Sequence, residues 1–172
     1  AKNSAAEAFL TAAIKARDIE KRYLCVTFGR PTPPAALLRD YLLKDAERGI
    51  VRITDTTAGG AKEVITGYET LAVSGRLALL EVELVTGRTH QIRVHMSYIG
   101  HPLAGDTLYG GSDILLRRHA LHCGILAFAH PLTGEPLRVE CPLAEDMAAL
   151  ARQKKLLTGW QLHSLPCGAD PT

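Results

Sequence analysis

Residues Leu77 to Val85 read Leu-Ala-Leu-Leu-Glu-Val-Glu-Leu-Val, with Glu81 and Glu83 alternating with Val82 and Leu84. Successive side chains of a strand point to opposite faces, so this segment must pair in a sheet that has one face wet or at an edge. Other stretches carry the same demand. Tyr23 to Phe28 is β-branched and aromatic and is closed by Gly29-Arg30-Pro31; Val64 to Leu71 leads to Leu77 through Ser74-Gly75. Ala120 to Ala129 turns at Pro131-Leu132-Thr133-Gly134 into Leu137 to Cys141. Runs of this kind bounded by Gly and Pro predict strands joined by hairpins.

Helical spacing occurs in three places. Ser4-Ala5-Ala6-Glu7 has the form of a capping box, in which a hydroxyl and a carboxylate satisfy free amides reciprocally. Behind it, Phe9, Leu10, Ala13 and Ile14 fall on one stripe, predicting an amphipathic helix that ends near Arg17. A second helix is expected from about Thr89, with Ile92, Met96 and Ile99 facing the core and Gly100 stopping it. A third follows Pro142, with Met147, Leu150 and Ala151 inward. Residues 37–60 are the least legible: a short strand near Leu42, another at Ile50 to Ile53 and a turn at Gly59-Gly60 are expected. Many strands and sparse helices predict an α+β domain on a mostly antiparallel, mixed sheet with flanking helices. It is expected over residues 1–158, with a loose tail at 159–172.

Composition excludes some functions. The 20 Lys and Arg against 18 Asp and Glu leave a net charge of +2, so any case for nucleic acid must rest on where the charges sit. No run approaches the roughly 18 to 20 apolar residues of a membrane span. Cys25, Cys123, Cys141 and Cys167 are irregularly spaced and contain no C-x-x-C pair, which predicts reduced thiols in an intracellular, cytoplasmic protein. The first residues lack a signal-peptide pattern and an initiator methionine, so the chain is expected to begin inside something longer.

Residues 86–110, TGRTHQIRVHMSYIGHPLAGDTLYG, carry the chemistry. Arg88, Thr89, His90, Gln91, Arg93 and His95 crowd a strand-to-helix junction, where a plain helix start needs one capping hydroxyl. On a helix, His90, Arg93 and Ser97 share a face opposite the apolar stripe. Such junctions gather amide donors and a positive dipole end.

The GRTHQIRVH and GHPLAGDTLYG runs resemble the third motif of the RluA-type RNA pseudouridine synthases, which isomerise uridines in ribosomal or transfer RNA. Lys21-Arg22-Tyr23 is similar to the K-x-Y strand start of that family, and Ala120 to Cys123 with Phe128 to Pro142 to its closing hairpin; the likeness spans roughly residues 1–150. It implies a pseudouridine synthase-like fold and a reaction that breaks the C1′–N1 bond of uridine, turns the base and joins C5 to C1′ without a metal or organic cofactor. It implies that Arg93 pairs with the catalytic carboxylate, and that Tyr23 stacks on the extruded uracil. Lys21, Arg88, Thr89, His90 and Gln91 are expected to build the pocket and meet RNA phosphate or ribose. By the same likeness, Asp106 belongs to a supporting loop. The catalytic aspartate of the family lies in an R-L-D-x-x-T-S-G-L segment that none of this chain's aspartates matches, so that segment and its strands are expected upstream.

Simpler readings compete. Thr89 could merely cap a helix with Arg88 solvated, Tyr23 could be an ordinary strand aromatic, and Arg117-Arg118-His119 is as readily a solvated loop as a phosphate contact. His90 and His95 stand five apart rather than at the four-residue spacing of a helical metal pair, so no metal is expected. Two functions remain: an RNA-modifying enzyme whose aspartate segment lies elsewhere, or a catalytically inactive truncated RNA-binding module. In either case a sheet lacking neighbouring strands is expected to expose an edge and self-associate.

Overall fold

The computed structural model describes residues 1–157 apart from Ala46 and Thr56, so the expected boundary at 158 and the tail 159–172 lie outside the described residues. Seven strands form one sheet: β1 (Glu20–Phe28), β2 (Ala35–Asp45), β3 (Ile50–Thr54), β4 (Lys62–Ser74), β5 (Leu77–Leu84), β6 (Leu121–Ala129) and β7 (Pro136–Glu140). Their order is β3-β2-β4-β5-β1-β6-β7. Every strand pairing is antiparallel, so the α+β class stands and the sheet is not mixed.

The helices α1 (Ser4–Ala16), α2 (Gln91–Tyr98) and α3 (Glu145–Gln153) complete the domain. On one sheet face, Met147, Leu150 and Ala151 of α3 bury Val26, Leu77 and Leu79. On the other, Ile92 and Met96 of α2 bury Cys25, Leu80, Val82 and Leu84. Central β5 is therefore apolar on both faces near its start, each buried leucine contributing roughly 2 kcal/mol. Further along, the face covered by α3 emerges into water, and there Glu81 pairs with Arg22 at 2.8 Å. The wet side of the alternating Glu81-Val82-Glu83-Leu84 pattern is this half of one face.

Four local expectations need correction. The cap of α1 is Asn3, whose side-chain oxygen accepts the Ala6 N–H at 2.8 Å, and Ser4 is already helical. The stripe on α1 reaches no core: the helix has no buried residue, and Phe9 and Ile14 stay exposed because no other element among the described residues packs over them. Strand β2 runs eleven residues where a short strand near Leu42 was expected, because it pairs with β4 from Ala35↔Glu69 to Leu42↔Lys62. Helix α2 begins at Gln91, since His90 is left-handed at φ 53°, which no continuing helix tolerates. The sheet ends in two five-residue strands, β3 and β7, and β7 carries Pro136, Arg138 and Glu140, residues that blunt an edge.

Candidate RNA-modification site

The polar junction is built around a glutamine. Gln91 is 2% exposed. Its amide oxygen accepts from the Thr86 hydroxyl at 2.8 Å and the Arg88 N–H at 3.1 Å, while its amide nitrogen donates to the Ile65 carbonyl at 3.0 Å and the Thr66 hydroxyl at 2.9 Å. One side chain thus ties the turn after β5 to the middle of β4 and sets where α2 starts. The direct RNA contact expected of Gln91 does not fit: its hydrogen-bonding capacity is already used inside the protein. One helical turn on, fully buried His95 approaches the Thr66 hydroxyl through Nδ1 at 2.8 Å and Asp40 on β2 through Nε2 at 3.4 Å, the latter long for a hydrogen bond. Burial holds its pKa below the ordinary 6.5, against the pull of Asp40.

Arg93 faces away from the sheet toward the segment 103–120. Its Nε and Nη2 donate to the two carboxylate oxygens of Asp106 at 2.8 and 2.7 Å, a bidentate pair in which Asp106 is fully buried and Arg93 is 12% exposed. The pairing raises the guanidinium's pKa further. The sequence resemblance implied that Arg93 meets a carboxylate; within the described residues that carboxylate is Asp106, and Nη1 is left open. Tyr109 lies 5.0 Å beneath the guanidinium and 5.6 Å from the His90 ring. Its hydroxyl accepts the Val51 N–H at 3.1 Å and sits 2.9 Å from His90 Nδ1. A phenol oxygen has two lone pairs, so which group donates in the Tyr109–His90 contact follows the imidazole tautomer. Burial and the adjacent Arg93 hold His90 below its ordinary pKa, so the ring is neutral near pH 7. His119 is lowered first by burial and then by the charge of Arg93; its neighbours Arg118 and Ala120 lie against Gly105 and Ala104, just before Asp106.

Backbone constraints hold this second segment in place. Asp106 opens a 3-10 turn at Thr107–Tyr109, and its carbonyl accepts from the Tyr109 and Gly111 amides. Gly105 has φ +77°, and a Cβ there would stand 1.9 Å from the Arg118 carbonyl oxygen. Only glycine lets the chain pass here and deliver the carboxylate to Arg93.

Lys21 and Tyr23 form a neighbouring group on the sheet face that carries α2. Tyr23 pairs with Val82 on one side and Cys123 on the other, and a register shift between Arg22 and Tyr23 adds a residue to β6 at that point. Burial, with Cys123 beside it, pushes the Tyr23 phenol up to about 12. Burial lowers Lys21, whose amine lies 4.0 Å from where a Cβ on Gly87 would be. Lys21 is thus next to the turn that leads into Arg88 and α2. Arg88 and Thr89 are exposed, and Thr89 makes no capping bond to α2. No hydrogen bond among the described residues joins the Lys21–Tyr23 group to the Arg93–Asp106 group.

The structure therefore gathers His90 and Arg93 with three residues to which no individual role was given at a site: Asp106, Tyr109 and His119. The density of the GDTLYG run was the available signal for the first two; His119 arrives only through folding. A cleft of about 1070 Å³ lies elsewhere and has none of the seven expected residues in its lining. Chemistry, rather than concavity, marks the site. Among the described residues no group of three or more His, Cys, Asp or Glu side chains could hold a metal ion.

Fold and site together define a class: an α+β domain on an antiparallel sheet, with a buried Arg93–Asp106 pair and with Lys21 and Tyr23 on the sheet face that carries α2. Comparison with known proteins makes that class specific. The RNA pseudouridylate synthase family profile matches residues 1–98. An uncharacterized RNA pseudouridine synthase of Bacillus subtilis, YjbO, is 41% identical over 152 residues, which is 88% of this chain and 53% of that protein. The ribosomal large subunit pseudouridine synthase D of Vibrio parahaemolyticus is 34% identical over 164 residues, 87% of this chain and 49% of that one. The solved structure of human RNA pseudouridylate synthase domain containing 1 superposes with a TM-score of 0.72 at 25% identity, covering 87% of this chain and 65% of that one. The chain belongs to the RNA pseudouridylate synthase family. It spans about half the length of the curated relatives it matches.

Proposed function

We propose that the protein isomerises uridine to pseudouridine in a structured ribosomal or transfer RNA, with the reacting carboxylate supplied by a segment outside residues 1–172. The observation that carries this reading is the state of Arg93. Two of its nitrogens are locked by Asp106 and Nη1 has no partner among the described residues, so a second carboxylate arriving within about 4 to 6 Å meets a fixed, permanently charged donor. A cation at that distance keeps a carboxylate ionised even in a dry pocket. Tyr23 offers its ring to the flipped uracil, and its raised pKa keeps the phenol neutral across the physiological range. Neutral His90 offers Nε2, which has no partner among the described residues, to ribose or base. Lys21, Arg88 and Thr89 face RNA phosphate or ribose at the rim.

Ribosomal RNA has the support of the Vibrio relative's name. No described helix is long and apolar enough to cross a membrane, which accords with a cytoplasmic enzyme. Self-association belongs to the same reading, through side chains rather than the blunted β7 backbone: Val139 is 50% exposed and Leu132 in the preceding turn 73%. Sedimentation would show a concentration-dependent dimer.

The test is tritium release from RNA labelled at uridine C5, comparing the 172-residue chain with a version extended upstream. Release by the extended form alone supports the reading. Release by the 172 residues alone would mean that a residue within them does the chemistry. RNA binding without release by either form favours an inactive RNA-binding module instead.

A further inference from the structure

At the far end of β1 from Tyr23, a cleft of about 1070 Å³ opens between the β4–β5 turn, the ends of α2 and α3, and the segment after Gly110. Its apolar lining includes Phe28, Leu77 and Leu115, and its polar lining includes Arg76, His101, Lys154 and Lys155. No aspartate or glutamate lines it, and neither Arg76 nor either lysine takes part in an ion pair among the described residues. Cations near a helix C-terminus offset its dipole, and Lys154 and Lys155 follow α3. Arg76 sits on a β-turn and offsets no helix. His101 is locked in place: its Nδ1 donates to the Phe28 carbonyl at 3.0 Å, and Nε2 is the ring's free nitrogen. Gly29 at φ +78° makes room for it, since a Cβ there would stand 2.6 Å from Nδ1.

We infer that this cleft holds a single-stranded stretch of the substrate RNA, with phosphates on Arg76, Lys154 and Lys155 and a base or ribose face on the apolar floor. The inference rests on the proposed RNA substrate. Uncompensated cations around an aromatic floor suit a strand with a phosphate at every residue and a π-face on every base. Continuity with the site favours RNA over an acidic polypeptide. Asp106 and Tyr109, which hold Arg93 and His90, belong to the same loop as Gly110 and Ser112, which line the cleft.

The test is fluorescence anisotropy with a labelled hairpin RNA carrying a uridine-containing loop, titrated at several salt concentrations. The 172-residue chain is compared with R76Q/K154Q/K155Q and with K15Q/K44Q/K62Q, which removes the same charge elsewhere. The cleft variant should bind about tenfold more weakly, and its slope of log affinity against log salt should be shallower by about 2, at roughly 0.7 to 0.9 per lost phosphate contact. The control should keep the parent slope. Equal losses in both variants, or a parent slope in a cleft variant whose melting temperature is unchanged, overturn the inference and leave the proposed activity standing. No RNA binding by the parent chain overturns both. Displacement by polyglutamate as effective as by polyuridylate, charge for charge, would assign an acidic polypeptide and overturn the RNA strand. Should the triple variant fail to fold, R76Q alone, on an exposed turn, should still shallow the slope by a little under one unit.

Discussion

Replacing Gln91 with leucine keeps most of the side-chain volume and removes all four of its hydrogen bonds. The cost follows from what each partner has left. The Ile65 carbonyl also accepts from the Thr86 N–H at 3.3 Å, the Thr66 hydroxyl keeps the His95 ring at 2.8 Å, and the Thr86 hydroxyl still accepts from the Ile65 N–H at 2.9 Å. The Arg88 N–H has no second partner among the described residues. An orphaned, partly buried amide costs about 1 to 3 kcal/mol, and each hydrogen bond with a fallback loses a few tenths to about 1 kcal/mol. The sum is roughly 3 kcal/mol, which for a chain of this size is a fall in melting temperature of about 6 to 12 °C. Urea denaturation read by circular dichroism, with the slope of stability against urea checked for constancy, measures it. A Gln91→Leu protein within about 0.5 kcal/mol of the parent that has lost RNA affinity would refute the reasoning and restore Gln91 as an RNA contact.

Three further outcomes follow from the same geometry. Asp106→Asn leaves the Arg93 charge unbalanced in a site only 12% exposed and should cost about 2 to 3 kcal/mol, less than a fully buried pair because water reaches the guanidinium; denaturation in parallel with Arg93→Met should show the two losses far from additive. Gly105→Ala places a methyl 1.9 Å from the Arg118 carbonyl in left-handed backbone, so it should cost several kcal/mol or fail to fold, while Gly134→Ala, with open space around it, should cost about 1 kcal/mol; soluble yield and melting temperature separate the two. His95, His90 and His119 all have folded pKa values held below 6.5, so the unfolded chain takes up protons first, and stability present above about pH 6.5 should be lost as pH falls through the lower folded values; thermal melts from pH 7.5 to 5 should show this, and His95→Gln should flatten it.

Local order in the chain was enough for much of the fold. Alternation at Glu81-Val82-Glu83-Leu84, the Gly and Pro turns and the Ile92–Met96 spacing are properties of neighbours, and they led to the α+β class, six of the seven strands near their places and all three helices. The density of polar residues in 86–110, with its family resemblance, also pointed to Arg93 and His90. Tertiary structure decided the rest, because burial and pairing are made by partners far apart in sequence. The stripe on α1 looks like any core-facing stripe, yet no other element among the described residues comes to cover it. Gln91 reads as a pocket amide meant for RNA until Thr66, twenty-five residues away, receives it. The length of β2 is set by β4. The partner of Arg93, the tyrosine beneath it and His119 beside it meet only because Gly105 lets a second segment cross the first. Sequence specified which chemistry was available; the folded chain decided which groups were already engaged with each other and which were left unengaged among the described residues.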